Sequence, residues 1–122
     1  MDTKERFDDE YTPCPLAVML AKIGGKWKCI ILWWLMNGPR RFTELRRRIP
    51  GITQKMLTQQ LRELEKDGFV NRKVFAQVPP RVEYSPTPLA LAMKSLLLQM
   101  NDWADSHLME APPKRTKRLR KS

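Results

Sequence analysis

A Pro-Gly pair at positions 50 and 51 separates two stretches that each repeat apolar residues at helical spacing, and this pairing limits the possible folds more than any other feature of the chain. Before it, Phe42, Leu45 and Ile49 fall on one side of a short helix whose other positions include Arg41, Arg46, Arg47 and Arg48. After it, Thr53 offers a capping hydroxyl, and Ile52, Met56, Leu57, Leu61 and Leu64 form a core-facing side until Asp67-Gly68 stops the segment. Two amphipathic helices joined by a tight turn form a helix-turn-helix pattern.

The flanking segments extend the pattern. Pro15 predicts a helix over 15–23, because its missing N–H would be unpaired at the first helical position anyway. Gly24-Gly25 interrupts it, and Trp27, Ile30, Ile31, Trp34 and Leu35 predict a second helix with a buried stripe, ended by Asn37-Gly38-Pro39. Beyond Gly68 the period changes. β-Branched and aromatic residues at 69–75 and 81–85, separated by AQVPP, predict a two-stranded ribbon with a tip. Thr87-Pro88 then opens a long helix whose apolar positions are Leu89, Ala92, Met93, Leu96, Leu97, Met100, Trp103 and Ala104, a face wider than one side of a small core needs. This order is that of a winged helix-turn-helix: mainly α with a small β-wing. At 122 residues the chain fits one domain and would gain from a symmetric partner. The expected division is an acidic segment over 1–13, a winged helix-turn-helix domain with dimerisation helices over 14–111, and a disordered basic tail over 112–122.

Charge points to the partner. Of the net +10, residues 1–13 carry −3 and residues 112–122 carry +6, so the domain itself holds +7. Such a surface attracts polyanions. Yet Lys55, Thr58, Gln59 and Arg62 share the side of the second helix opposite its leucines, Gln54 borders it, and three of those five residues are uncharged. Amide and hydroxyl groups exchange hydrogen bonds with base edges, whereas a face of lysine and arginine would mostly find phosphates. Gln54, Lys55, Thr58, Gln59 and Arg62 are therefore the expected base-reading set in double-stranded DNA. Arg40, Arg41, Arg46, Arg47 and Thr53 are expected on the DNA backbone, with Arg72, Lys73 and Arg81 on the wing. Some of these arginines are expected to pair with Glu44, Glu63 or Glu83 instead.

Other classes find little support. GGKW lacks the first glycine of a phosphate loop, which would fall at Leu20, and has Trp27 where the loop needs a hydroxyl. There is no GxSxG, and the lone His107 near a helix end reads as a surface or capping residue, so no enzyme and no cofactor are expected. Cys14 and Cys29 form no CxxC pair, which argues against a metal. The longest apolar run, Cys29 to Met36, is far short of the ~20 residues that span a bilayer, so a cytoplasmic protein without membrane contact is expected. The competing reading is a winged-helix module that binds a protein or RNA without specific DNA readout.

The segments CPLAVMLAKIGGKWKCIIL, GPRRFTELRRRIPGITQKMLTQQLRELEKDGFVNRK and VPPRVEYSPTPLA resemble the HxlR-type family of bacterial winged helix-turn-helix transcriptional regulators, relatives of the MarR type. The resemblance runs from Cys14 to Trp103. It implies a homodimer built through the first and last helices, with Leu89, Met93, Leu96, Leu97, Met100 and Trp103 as dimerisation residues, bound to a pseudo-palindromic operator. It also implies a sensor position at Cys14, since some members sense oxidants or electrophiles there, and a helix N-terminus favours a thiolate. The alternative for Cys14 is a small packed residue at a helix start, and the effector is unknown. Cys29 reads as a buried apolar thiol.

Overall fold

The computed structural model describes residues 14–110; the acidic segment 1–13 and the basic tail 112–122 lie outside them. The elements follow in the order α1 (Pro15–Ile23), α2 (Lys28–Leu35), β1 (Arg40–Arg41), α3 (Phe42–Arg48), α4 (Gln54–Lys66), β2 (Val70–Phe75), β3 (Arg81–Pro86), α5 (Pro88–Leu91) and α6 (Lys94–His107). The three strands form one antiparallel sheet in the order β1-β3-β2.

The sheet has one strand more than the ribbon expected from sequence. Arg40 and Arg41 pair with Tyr84 and Glu83, adding a two-residue strand to the β2–β3 hairpin. In sequence these two residues follow Pro39 and offer no alternation to read, because two residues are too few to show a period.

α2 is the helix around which the others gather, touching β3, α3, α4 and α6. Its buried stripe is Lys28, Ile31, Leu32 and Leu35, which is rotated from the expected one. Ile31 and Leu35 are inside as expected. Trp27 and Trp34 are only half-buried, however, and Ile30 is exposed. The core is completed by Leu45 and Ile49 of the α3 region, Ile52, Leu57, Leu61 and Leu64 of the α4 region, Phe69 and Val70, and Ala90 and Leu97.

The turn at Pro50-Gly51 forms as expected, with Gly51 at φ +86°, a left-handed conformation that a side chain would strain. Thr53 caps α4, its Oγ1 accepting from the Met56 N–H at 3.0 Å. The other end of α4 closes with a Schellman arrangement around Gly68, in which the Phe69 N–H donates to the Leu64 carbonyl at 2.9 Å and the Gly68 N–H to that of Glu65 at 3.1 Å. The Thr87 hydroxyl then donates to the Gly68 carbonyl at 2.6 Å, tying the end of the hairpin to the end of α4.

The long last helix expected from sequence is two helices. The Met93 N–H donates to the Ala90 carbonyl, an i to i−3 bond, and the helix is interrupted at Ala92-Met93 between α5 and α6. The dimer face expected along this segment is only partly uncovered. Leu97 is 4% exposed and belongs to the core of its own chain, and Met93 packs half-buried against that core. Leu89, Leu96, Met100 and Trp103 remain exposed. α1 is also largely uncovered, with Leu16, Val18 and Leu20 exposed and only Ile23 buried.

Leu64→Ala should lower unfolding free energy in urea by about 2–5 kcal/mol, since it empties a fully buried site between α4 and α2. Val74→Ala, on the exposed hairpin, should stay within about 0.5 kcal/mol. A Leu64→Ala cost as small as that of Val74→Ala would contradict the packing described.

Candidate nucleic-acid interface

The roll of α4 about its axis is set by Leu57, Leu61 and Leu64, all at 1% exposure or less. With that side fixed inward, Lys55, Gln59 and Arg62 are exposed on the opposite side, Thr58 is half-buried beside them, and Gln54 is exposed at the border, in the first turn. These five expected residues line one shallow depression, together with Glu63. Thr53, expected on the DNA backbone, uses one of its two oxygen lone pairs on the cap, which leaves its O–H to donate outward.

A cleft of about 480 Å³ separates α4 from the sheet, with Gln54, Thr58, Arg62 and Glu65 on one wall and Arg72 and Tyr84 on the other. The three wing bases do not share a face. Arg72 is opposite Tyr84 in the ladder, and side chains alternate along a strand, so Arg72 turns toward α4 while Lys73 turns away with its partner Glu83. Arg81 lies on the Lys73 side. Its guanidinium stacks on the Phe75 ring at 4.0 Å, and its buried Nε is 3.5 Å from Glu83, an ion pair without a hydrogen bond. Lys73 stands over the same ring at 5.0 Å.

The bases before and along α3 divide similarly. Arg40 donates from Nε to the Trp34 carbonyl at 2.5 Å, satisfying an orphan acceptor at the end of α2. Arg41, Arg46 and Arg47 are exposed, and Arg46 and Arg47 flank a depression beside Thr43. Among the described residues, no ion pair involves Arg41, Arg46, Arg47, Lys55, Arg62 or Arg72. The three acids expected to compete for arginines are committed elsewhere or to one base. Glu44 accepts the Arg41 backbone N–H at 2.8 Å, and this bond, with nearby Arg40, Arg48 and Arg41, holds its carboxyl below the usual range. Glu83 faces Arg81, and Glu63 pairs with a residue that sequence reasoning missed.

That residue is Lys28. It is buried in the stripe of α2, and its Nζ reaches Glu63 Oε1 at 2.6 Å. The other carboxylate oxygen accepts from Gln59 Nε2 at 3.3 Å. The lysine and then the glutamine amide hold the Glu63 carboxyl below its ordinary range. The signal available in sequence was spacing alone, since positions 28, 31, 32 and 35 follow the i, i+3, i+4, i+7 rule with a lysine at the first.

The two thiols differ. Cys14 is exposed just before α1. Cys29 is half-buried, donates from Sγ to the Ile23 carbonyl at 3.6 Å, and has its thiol pKa pushed up by burial. It lines a cleft of about 280 Å³ with Ile30, Trp33, Leu97 and Met100. His107 caps the end of α6, its Nδ1 2.9 Å from the Trp103 carbonyl and its ring stacked on that indole. Among the described residues, no group of three or more His, Cys, Asp or Glu could hold a metal ion, and no helix is long and apolar enough to cross a membrane.

A family profile described as HxlR-like helix-turn-helix matches residues 22–112. The chain is 48% identical over 99 residues to YdeP of Bacillus subtilis (strain 168), an uncharacterized HTH-type transcriptional regulator, covering 81% of this chain and 77% of that one. Among solved structures, it is similar to the redox regulator HypR in its oxidized form, with a TM-score of 0.75 and 49% identity over 80% of this chain and 100% of that one. It is also similar to the reduced form of the transcriptional regulator YodB from B. subtilis, with a TM-score of 0.69 and 35% identity over 81% of this chain and 98% of that one.

Proposed function

The chain belongs to the HxlR-like helix-turn-helix family of transcriptional regulators, and from that premise we propose that it binds a pseudo-palindromic operator as a homodimer, reading bases with α4. The observation that carries this reading is the one-sided exposure of α4. Its leucines are spent on the core, while Gln54, Lys55, Thr58, Gln59 and Arg62 line one depression, with Arg72 across the cleft beside it and Arg46 and Arg47 exposed on α3. Amides and a hydroxyl at the centre suit base edges, and the surrounding guanidinium groups suit phosphates. Arg41 joins the phosphate set, whereas Arg40 and Arg81 act chiefly by holding β1 and the hairpin in position. Homodimerisation is supported by the uncovered apolar residues of the first and last helices, among them Leu16, Leu20, Leu96, Met100 and Trp103. A regulator of this kind needs no enzymatic activity.

Two duplex pools test the base assignment. Sites selected from random DNA by the wild-type chain and by Gln59→Ala should differ at one position per half-site, with about 1–3 kcal/mol of discrimination lost there. Identical ranked preferences would remove Gln59 from the reading set.

Redox or electrophile response through Cys14 is the second part of the proposal. It rests on the likeness to HypR, on the exposure of Cys14, and on the burial that disfavours thiolate formation at Cys29. Modification at the start of α1 would act on the dimer, because α1 is otherwise attached mainly through Ile23. Operator affinity should fall after mild diamide treatment of the wild type and hold in Cys14→Ser. Loss that persists in Cys14→Ser would move the response to Cys29, and an unchanged wild type would leave Cys14 a packing residue.

A further inference from the structure

The chain Lys28–Glu63–Gln59 does more than fill space. Gln59 and Glu63 are one turn apart on α4, and Glu63 is anchored from behind by a lysine of α2 that is only 8% exposed. An ionised carboxylate accepts hydrogen bonds and cannot donate them, so the amide edge that meets Glu63 must be the NH2 edge. The Lys28 ammonium keeps that carboxylate ionised and in place. The carbonyl oxygen of Gln59 is thereby turned away from Glu63, with the second N–H of the amide beside it.

We propose that Lys28 and Glu63 are specificity-determining positioning residues, which lock the Gln59 amide in the orientation that presents its carbonyl oxygen to the major groove and so selects a base bearing an exocyclic amine. The inference rests on the reading of Gln59 as a base contact. A glutamine able to flip offers a donor to guanine O6 or thymine O4 as readily as an acceptor to an amine. A locked one keeps a single free N–H fixed beside its carbonyl, so it cannot offer a donor there without bringing the carbonyl oxygen alongside. Its acceptor and remaining N–H match adenine, which places the N6 donor beside the N7 acceptor, and its acceptor alone matches the N4 amine of cytosine. Guanine and thymine would set an acceptor oxygen against the glutamine carbonyl. The device also joins the reading face to α2, the helix that contacts α3, α6 and β3, so a shift of α2 would reach base choice through one ion pair.

The test uses the full chain and four duplexes that differ only at the base pair identified by Gln59→Ala. Wild type should favour adenine, then cytosine, with guanine and thymine bound about tenfold more weakly or worse. Glu63→Gln allows the amide to flip, and Lys28→Met frees Glu63 from its anchor. Each should shrink the guanine and thymine penalty to within about threefold, while affinity for the adenine duplex changes less. Where either single variant fails to fold by circular dichroism, the double variant, which removes both charges together, takes its place. Discrimination retained in either variant overturns the inference, as does an equal fall on all four duplexes, which a purely structural ion pair would cause. If Gln59→Ala itself alters no base preference, the inference falls together with the base assignment. If Gln59→Ala does alter it but the Lys28 and Glu63 variants do not, only the positioning device falls.

Discussion

Burial of Leu57, Leu61 and Leu64 in the core that α4 shares with α2 and β2 is the interaction on which the rest of the molecule turns. These residues fall at i, i+4 and i+7, so their common side fixes both where α4 sits and how it is rolled. Once that roll is set, the five polar side chains opposite have nowhere to point but outward. A single-residue rotation of α4 would bury Gln54 or Thr58 without partners, at a cost comparable to a lost hydrogen bond for each. The same contact makes α2 the backing plate of the reading helix. The caps at Thr53 and Gly68 then limit α4 to the length that this contact supports.

Charge is sorted around that frame. Glu44, Glu63 and Glu83 are each tied to a specific donor, and Arg46, Arg47, Lys55, Arg62 and Arg72 are left outside those ties. Acids that cap a helix or anchor a lysine cannot neutralise the phosphate-binding bases. These bases are therefore left free to meet phosphates and supply affinity and register, while the uncharged residues of α4 are left to discriminate.

Much of this was legible in the sequence. The turn at Pro50-Gly51, the Thr53 cap and the leucine stripe of α4 each announce themselves within a few residues, because capping and amphipathic spacing are local. What was not legible depends on distant partners. Lys28 is buried by virtue of Glu63, which is far away in sequence, and a lysine among apolar residues ordinarily reads as an exposed break in the stripe. β1 exists only because β3 returns beside it. The interruption at Ala92-Met93 carries no glycine or proline, so a continuous apolar pattern concealed it, and that pattern did not separate Leu97, which enters its own core, from the exposed positions around it. Arg72, Lys73 and Arg81 looked equivalent in sequence, and only the register of the hairpin separated the one that faces α4 from the two that do not.

That α4 reads DNA from a symmetric pair of chains is tested most directly by hydroxyl-radical footprinting of the full chain on a duplex selected from a random pool. Two α4 helices related by a twofold axis should protect two half-sites whose centres lie about one helical turn apart, ~34 Å, with the protections mirrored on the two strands. A single protected stretch, or protection that takes no fixed position on the selected duplex, would contradict it.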